Sequence, residues 1–461
     1  MKKYFSDNRF NLKIATLFFL ITVISCTVLI LNPGFYSHDE LEIYDKVTRI
    51  GFFPFISDVI HAKPGLYFSQ PYRPIPFAIE GFLSLFFDKH PWVVHLFNVI
   101  THALVSLILF YTSKLIFNNS RVALFSTIFF ILNPLSIFAI GWSAALMDPL
   151  YILFTVTALF CAAKILKFDN FDRRFYLGIF FSSLAAILCK ETAIVSPFII
   201  FILLDKKILS NLNKFFKVFF IWLLPVLIYI LIRLPSIFNS FNGNPNSYHP
   251  AFSNILSNLF VYIVYPFLPN IGEAHTYKSA GYFVITLALA FQVFICIFLF
   301  RLNKYKALLV YLFGYILFLS PVILLSEASS HYLYGSSLAL SVALGYISYK
   351  AKYKIYTLFL VTCFLVLLIH NFNIQKMFFN TGKCMTSIDS FFKDLNHNRN
   401  EIIIKMDSNS PSWVIKRYTH QRNNSFLPKH ISLYDSIDKI FLPHSLDILR
   451  FDSQCQLSAL N

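Results

Sequence analysis

The sequence is short of charge. Asp, Glu, Lys and Arg make up 13% of its 461 residues, against about 25% in a soluble domain. Glycine is scarce too, at 13 residues, so neither a collagen-like nor a glycine-rich low-complexity chain fits. The sequence contains no Walker loop, no dinucleotide-binding glycine fingerprint, no His/Cys/Asp spacing typical of a metal motif and no defensible Ser-His-Asp signal. ATP-driven and nicotinamide-dependent chemistry therefore lack a signature here. Internal repeats are missing as well, which excludes solenoids.

Apolar residues are what the chain has in excess. They form 57% of it, with Phe alone at 55. They lie in long runs of the length that a bilayer-crossing helix needs. We read spans at roughly 14–32, 91–113, 122–140, 145–163, 175–189, 193–204, 218–232, 281–300, 307–325, 332–348 and 355–370. Residues 175–189 and 193–204 are short and read as a hairpin broken at Lys190. Residues 254–268 read as interfacial or re-entrant.

The formal charge of +16 invites a nucleic-acid reading, but its distribution argues otherwise. With the N-terminus in the cytoplasm, the inner segments hold roughly half of the Lys and Arg but only Asp7, Asp169, Asp172 and Asp205 among acids. That bias is an orientation signal for short loops, so no nucleic-acid partner is expected. Lys2, Lys3, Arg9 and Lys13 precede an apolar run that continues past Cys26, as in an uncleaved anchor. The expected class is an all-α polytopic membrane protein with about eleven spans, its N-terminus cytoplasmic and its C-terminus outside. A high Lys, Asn, Ile and Phe content favours a bacterial inner (plasma) membrane.

The organisation follows. Residues 1–370 form a transmembrane domain with a long first outer loop, 33–90, and 371–461 form a small extracytoplasmic segment. That segment has β-like runs at Ile402–Ile404, Trp413–Ile415 and Ile440–Leu442. Asn242-Gly243-Asn244-Pro245 is a turn signal in the second outer segment. Cys384 and Cys455 lie where an oxidising compartment permits a disulfide, whereas the other five cysteines lie in apolar segments as packing residues.

Ionisable groups near the membrane are costly and often functional. By the charge-derived topology they collect on one side: Asp39 and Glu40 after the first span, Arg73, Asp148, Lys190, Glu191, Arg233, Glu327 and His331. Each has a plainer reading. Asp39 and Glu40 suit a helix N-terminus, Arg73 a lipid headgroup, Lys190 and Glu191 a hairpin-closing pair, Asp148 a helix start and His331 an interface. His90, His95, His102 and His370 read as packing or span-end histidines. A transporter of lipid-linked glycans would place charges near the midplane, whereas a one-sided cluster suits an active site.

In order, the chain reads His38-Asp39-Glu40, Tyr72-Arg73-Pro74-Ile75, His95-Leu96-Phe97-Asn98-Val99-Ile100-Thr101-His102, Asn133-Pro134, Asp148, Cys189-Lys190-Glu191-Thr192 and His331-Tyr332-Leu333-Tyr334. This ordered set resembles the GT-C superfamily of membrane glycosyltransferases, closest to the branch of protein O-mannosyltransferases and the transmembrane, tetratricopeptide-containing mannosyltransferases. The chain departs from that branch in two places. Ala144-Ala145-Leu146-Met147 precedes Asp148 where an arginine is usual, and Ser329-Ser330-His331 stands where Glu-Arg is frequent. It also carries no tetratricopeptide repeats.

The resemblance implies transfer of a sugar from a polyprenyl-phosphate donor to an extracytoplasmic glycan, lipid or protein acceptor, with inversion at C1. Asp39 is then the base, with Glu40 orienting the loop or the acceptor. Arg73, Lys190, Arg233 and His331 hold the donor phosphate, and Asp148, Glu191 and Tyr332 shape the substrate pocket. No cofactor is implied, and a divalent metal is left open. Arg suits bidentate phosphate contact and Lys a point charge. The alternatives are a flippase of a lipid-linked glycan and a polymerase or ligase of undecaprenyl-linked oligosaccharides.

Overall fold

The computed structural model describes residues 8–61, 72–87, 89–168, 172–241, 250–302, 305–350, 354–394, 401–407, 410–419, 430–434 and 447–459. The first expected span corresponds to α1 (Asn8–Ser25), followed by a single extra turn, Thr27–Ile30. The first loop is itself helical, with α2 (His38–Ile50), α3 (Phe52–His61) and α4 (Pro74–Ser84). Pro74 at the first helical position starts α4 where a missing N–H costs nothing.

The bundle continues with α5 (Pro91–Phe117), α6 (Ser120–Ile131), α7 (Pro134–Gly141), α8 (Met147–Lys167) and α9 (Arg173–Cys189). A 3₁₀ helix, Glu191–Leu203, leads to α10 (Leu212–Phe241). Then come α11 (Asn254–Val264), α12 (Tyr282–Arg301), α13 (Tyr305–Leu319), α14 (Tyr334–Lys350) and the 41-residue α15 (Lys354–Asp394).

Among the described residues, five helices are long and apolar enough to cross a membrane, or six if α6 and α7, bent by 49°, form one span. The remaining expected spans map onto shorter or more polar helices. Two have physical explanations. Asn133 caps α7 by accepting from Leu135 N–H at 3.1 Å, so the Asn133-Pro134 step turns the chain inside one apolar run. Glu191–Leu203 has 13 residues. With a rise of about 2.0 Å per residue they reach about 26 Å, so a run too short to cross as an α-helix nearly crosses as 3₁₀.

Small residues let some helices pack closely. Gly345 of α14 lies against the backbone of Ser126 in α6, and Gly314 of α13 faces Ala339 of α14. His95, His102 and His370 are packing histidines, as read from sequence. Their rings bond Gly34 O at 3.1 Å, Tyr334 OH at 2.8 Å, and Pro266 O and Ile271 O at 3.1 and 3.0 Å respectively.

The last helix runs on past residue 370 to Asp394, so residues 371–394 extend α15. Beyond it lies a four-stranded sheet of order β2-β1-β3-β4, built from β1 (Glu401–Met406), β2 (His430–Tyr434), β3 (Asp447–Phe451) and β4 (Leu457–Ala459). β1 pairs parallel with β2 and β3, and β4 pairs antiparallel with β3. The run at Trp413–Ile415 is not a strand but part of a helix, α16 (Ser412–Thr419). Val414, Ile415 and Tyr418 are buried while Trp413 is exposed, which is helical spacing and not strand alternation. The run at 440–442 and the turn at 242–245 fall outside the described residues.

The far part of α15 shares a core with the sheet. Cys384, Met385, Ile388 and Phe392 pack with Ile402, Ile404, Val414, Ile415 and Tyr418, and Phe35 and Leu41 join from the first loop. Cys384 and Cys455 form a disulfide, with Cα atoms 5.2 Å apart.

Candidate functional site

The acid-bearing end of the site is a helix cap. Ser37 is extended and caps α2, with Glu40 at the third position completing a capping box. Glu40 is 5% exposed and its oxygens are fully engaged. Oε2 accepts from the N–H groups of Tyr36 at 2.6 Å and Ser37 at 2.9 Å. Oε1 accepts from Ser143 N–H at 2.7 Å and from the Ser143 hydroxyl. Burial outweighs these bonds and pushes the Glu40 carboxyl up to about 6. Glu40 is thus a strut from α2 to the turn that opens α8, with no oxygen to spare for a reacting group.

Asp39 stands one position earlier and is half-buried. Ser37 Oγ donates to its Oδ2 at 3.1 Å and accepts from Trp142 Nε1 at 3.0 Å. Trp142 also meets the ring of His331 edge-on, with centroids 4.9 Å apart. A single indole therefore connects the acid cap to the cationic side of the site.

On that side Lys190 breaks the chain between α9 and the 3₁₀ helix in an extended conformation. Its Nζ donates to both Asp148 oxygens at 2.7 Å, and both side chains are 2% exposed. Tyr332 covers it, with Nζ 4.7 Å from the ring centroid. His331 Nε2 lies 4.0 Å from Asp148 Oδ2, and its Nδ1 is 2.7 Å from Ser329 Oγ. Arg73 forks onto Glu191, with Nε 2.7 Å from Oε2 and Nη2 on Oε1, and its Nη1 touches Met147 Sδ. Glu191 keeps 45% of its side chain exposed. Arg233 sits over the ring of Tyr72, beside Arg73, at 5.9 Å.

The arrangement joins Asp39 and Glu40 to His331, Asp148, Lys190 and Tyr332 through Trp142 and Ser143, and sets Arg73 with Glu191. Arg233 is connected through Tyr72, whose carbonyl accepts from Tyr229 OH at 3.3 Å. Lys190 and Arg73 are both already paired with acids. Of their acid partners, Glu191 is the one open to exchange, because it is exposed.

Several contributors escaped the sequence reading. Ser37, Trp142 and Ser143 carry no signature, since a serine or tryptophan near a span end is ordinary. Tyr36 is another, its hydroxyl donating to Glu273. Trp413 of α16 approaches Tyr36, with ring centroids 6.1 Å apart, which puts the C-terminal segment beside the acid cap. Glu80 did leave a trace, as the only ionisable residue in Pro74–Ser84. Among the described residues no group of three or more His, Cys, Asp or Glu is placed to hold a metal ion.

Residues 71–238 match the family model of dolichyl-phosphate-mannose-protein mannosyltransferases. The matched stretch contains Arg73, Asp148, Lys190, Glu191 and Arg233, whereas Asp39, Glu40 and His331 lie outside it. No curated protein matches the chain. Over that stretch the chain is similar to a family of membrane mannosyltransferases, and its long apolar helices fit a polytopic membrane protein.

Proposed function

We propose that this chain moves one sugar from a polyprenyl phosphate to a hydroxyl-bearing acceptor by a single displacement at C1. The observation that carries the proposal is the Trp142 junction. It holds a half-buried carboxylate, Asp39, on one side and the His331, Asp148 and Lys190 cluster on the other.

The acceptor oxygen attacks C1 as Asp39 takes its proton, and the bond from C1 to the phosphate oxygen breaks. The lipid phosphate leaves as an anion, and the configuration at C1 inverts. Positioned cations stabilise charge where it develops. Arg73 meets the phosphate as Glu191 yields its fork, a trade made feasible by the exposure of Glu191. Lys190 contributes positive potential from behind Asp148, and Arg233 and His331 flank it. Asp148 fixes Lys190, and Tyr332 walls the pocket. The lipid tail stays among the helices. The charged groups gather at helix ends, which supports catalysis over passage of a glycan through the bundle.

The test uses purified protein in detergent, without compartments, and polyprenyl-phosphate mannose labelled in the sugar. Label should pass to material in a membrane extract. Asp39→Asn should reduce transfer by about 10²–10⁴-fold while folding and membrane insertion are unchanged. A fully active Asp39→Asn protein removes the base from the mechanism, and loss of label without any product sinks the transferase reading.

A further inference from the structure

Glu80 is the buried acid that the mechanism leaves unused. It lies on α4, is 8% exposed, and neither of its side-chain oxygens has a hydrogen-bond partner among the described residues. It faces a half-open cavity with room for about one water molecule or one hydroxyl group. Phe35, Ile43, Val94 and Ala144 make most of the wall, and Glu40, Ser84 and Ser143 complete it. The cavity therefore abuts the strut that sets Asp39, and Arg73 is close enough for its charge to act on Glu80.

Leaving a buried polar group unpaired is destabilising, and a leucine of similar volume would avoid that. Burial, reinforced by the charges of Glu40 and Asp39, holds the Glu80 carboxyl well above the usual carboxylate range despite Arg73. Its protonated form, favoured by these surroundings, presents one O–H donor and one carbonyl acceptor to the cavity. A sugar hydroxyl has the complementary acceptor and donor, whereas a phosphate would meet two acidic neighbours.

We propose that Glu80 and this cavity form a subsite for one hydroxyl of a sugar ring, supplied by the donor hexose or by a sugar acceptor. The proposal takes the identity of its ligand from the sugar-transfer reading, but its test needs no turnover. Infrared difference spectra between the native protein and Glu80→Gln isolate the carbonyl stretch of Glu80. Polyprenyl-phosphate mannose and methyl α-mannoside are then added separately. A shift with the first alone assigns the donor, and a shift with the second alone assigns an acceptor sugar. A shift with both assigns a site for mannosyl hydroxyls at large. A band that moves with neither overturns the subsite. A protein whose band moves but which transfers no label loses the transferase reading and keeps the subsite.

Where transfer is measured, Glu80→Leu should raise the KM of the ligand so identified about three- to tenfold, the worth of one neutral hydrogen bond. Its kcat should stay within about twofold, and its resistance to unfolding should be undiminished. Unchanged KM values for both substrates overturn the proposal equally.

Discussion

Asp148→Asn tests the buried pair directly. Lys190 Nζ sits 2.7 Å from both oxygens of Asp148, and neither side chain is more than 2% exposed. Two unit charges about 4 Å apart attract by about 4 kcal/mol at an effective dielectric of 20. Removing one member of a buried pair leaves the other uncompensated and costs about 3–5 kcal/mol. The Tyr332 ring over Nζ recovers part of this, up to about 2 kcal/mol for a desolvated cation. The net loss for Asp148→Asn should be about 3 kcal/mol, read as a lower SDS midpoint for unfolding in mixed micelles. Replacing both residues, as in Asp148→Leu with Lys190→Met, removes the orphaned charge and should bring stability back to within about 1 kcal/mol of the native protein. Transfer should remain lost in both variants, because neither has the Asp148–Lys190 unit. A single variant as stable as the native protein, or a double variant no better than the single, refutes the reasoning.

Two further outcomes follow from the contacts. Glu40→Ala strands the N–H groups of Tyr36, Ser37 and Ser143, and should cost about 3 kcal/mol, combining a lost cap with charge-assisted bonds; its transfer should fall through kcat as Asp39 shifts, and an unaltered kcat would remove the strut role. Cys384→Ser should make the sheet segment a target for added protease at concentrations that leave the native protein intact, because the bond ties α15 to the turn before β4; equal cleavage of the two proteins would show that core packing alone holds the segment.

The membrane class and the cluster of charged residues were legible in the sequence because both follow from composition and from the rarity of charge in apolar runs. The breaks within spans were harder to read. Asn133-Pro134 reads as a motif in the sequence, but a 49° bend within one hydrophobic run is set by a cap and a proline together. The 3₁₀ course of Glu191–Leu203 has no pattern that hydropathy reports. Trp413–Ile415 looked like a strand because three apolar residues carry no period. Only burial of Tyr418, at helical spacing, separates the two readings. The different fates of Asp39 and Glu40 were equally hidden: adjacent acids read alike until Ser143, a hundred residues away, takes up one of them.

The length of α15 ties the sheet to the acid cap. Its 41 residues reach about 60 Å at 1.5 Å per residue, twice the roughly 30 Å hydrocarbon layer. It is longer than one crossing needs, and the sheet is fastened to its far part by the Cys384–Cys455 bond. Because the same helix packs Phe378 against Tyr36 next to the acid cap, the sheet and the cap share one support. A shift of that one helix would therefore move the sheet and the wall beside Tyr36 together.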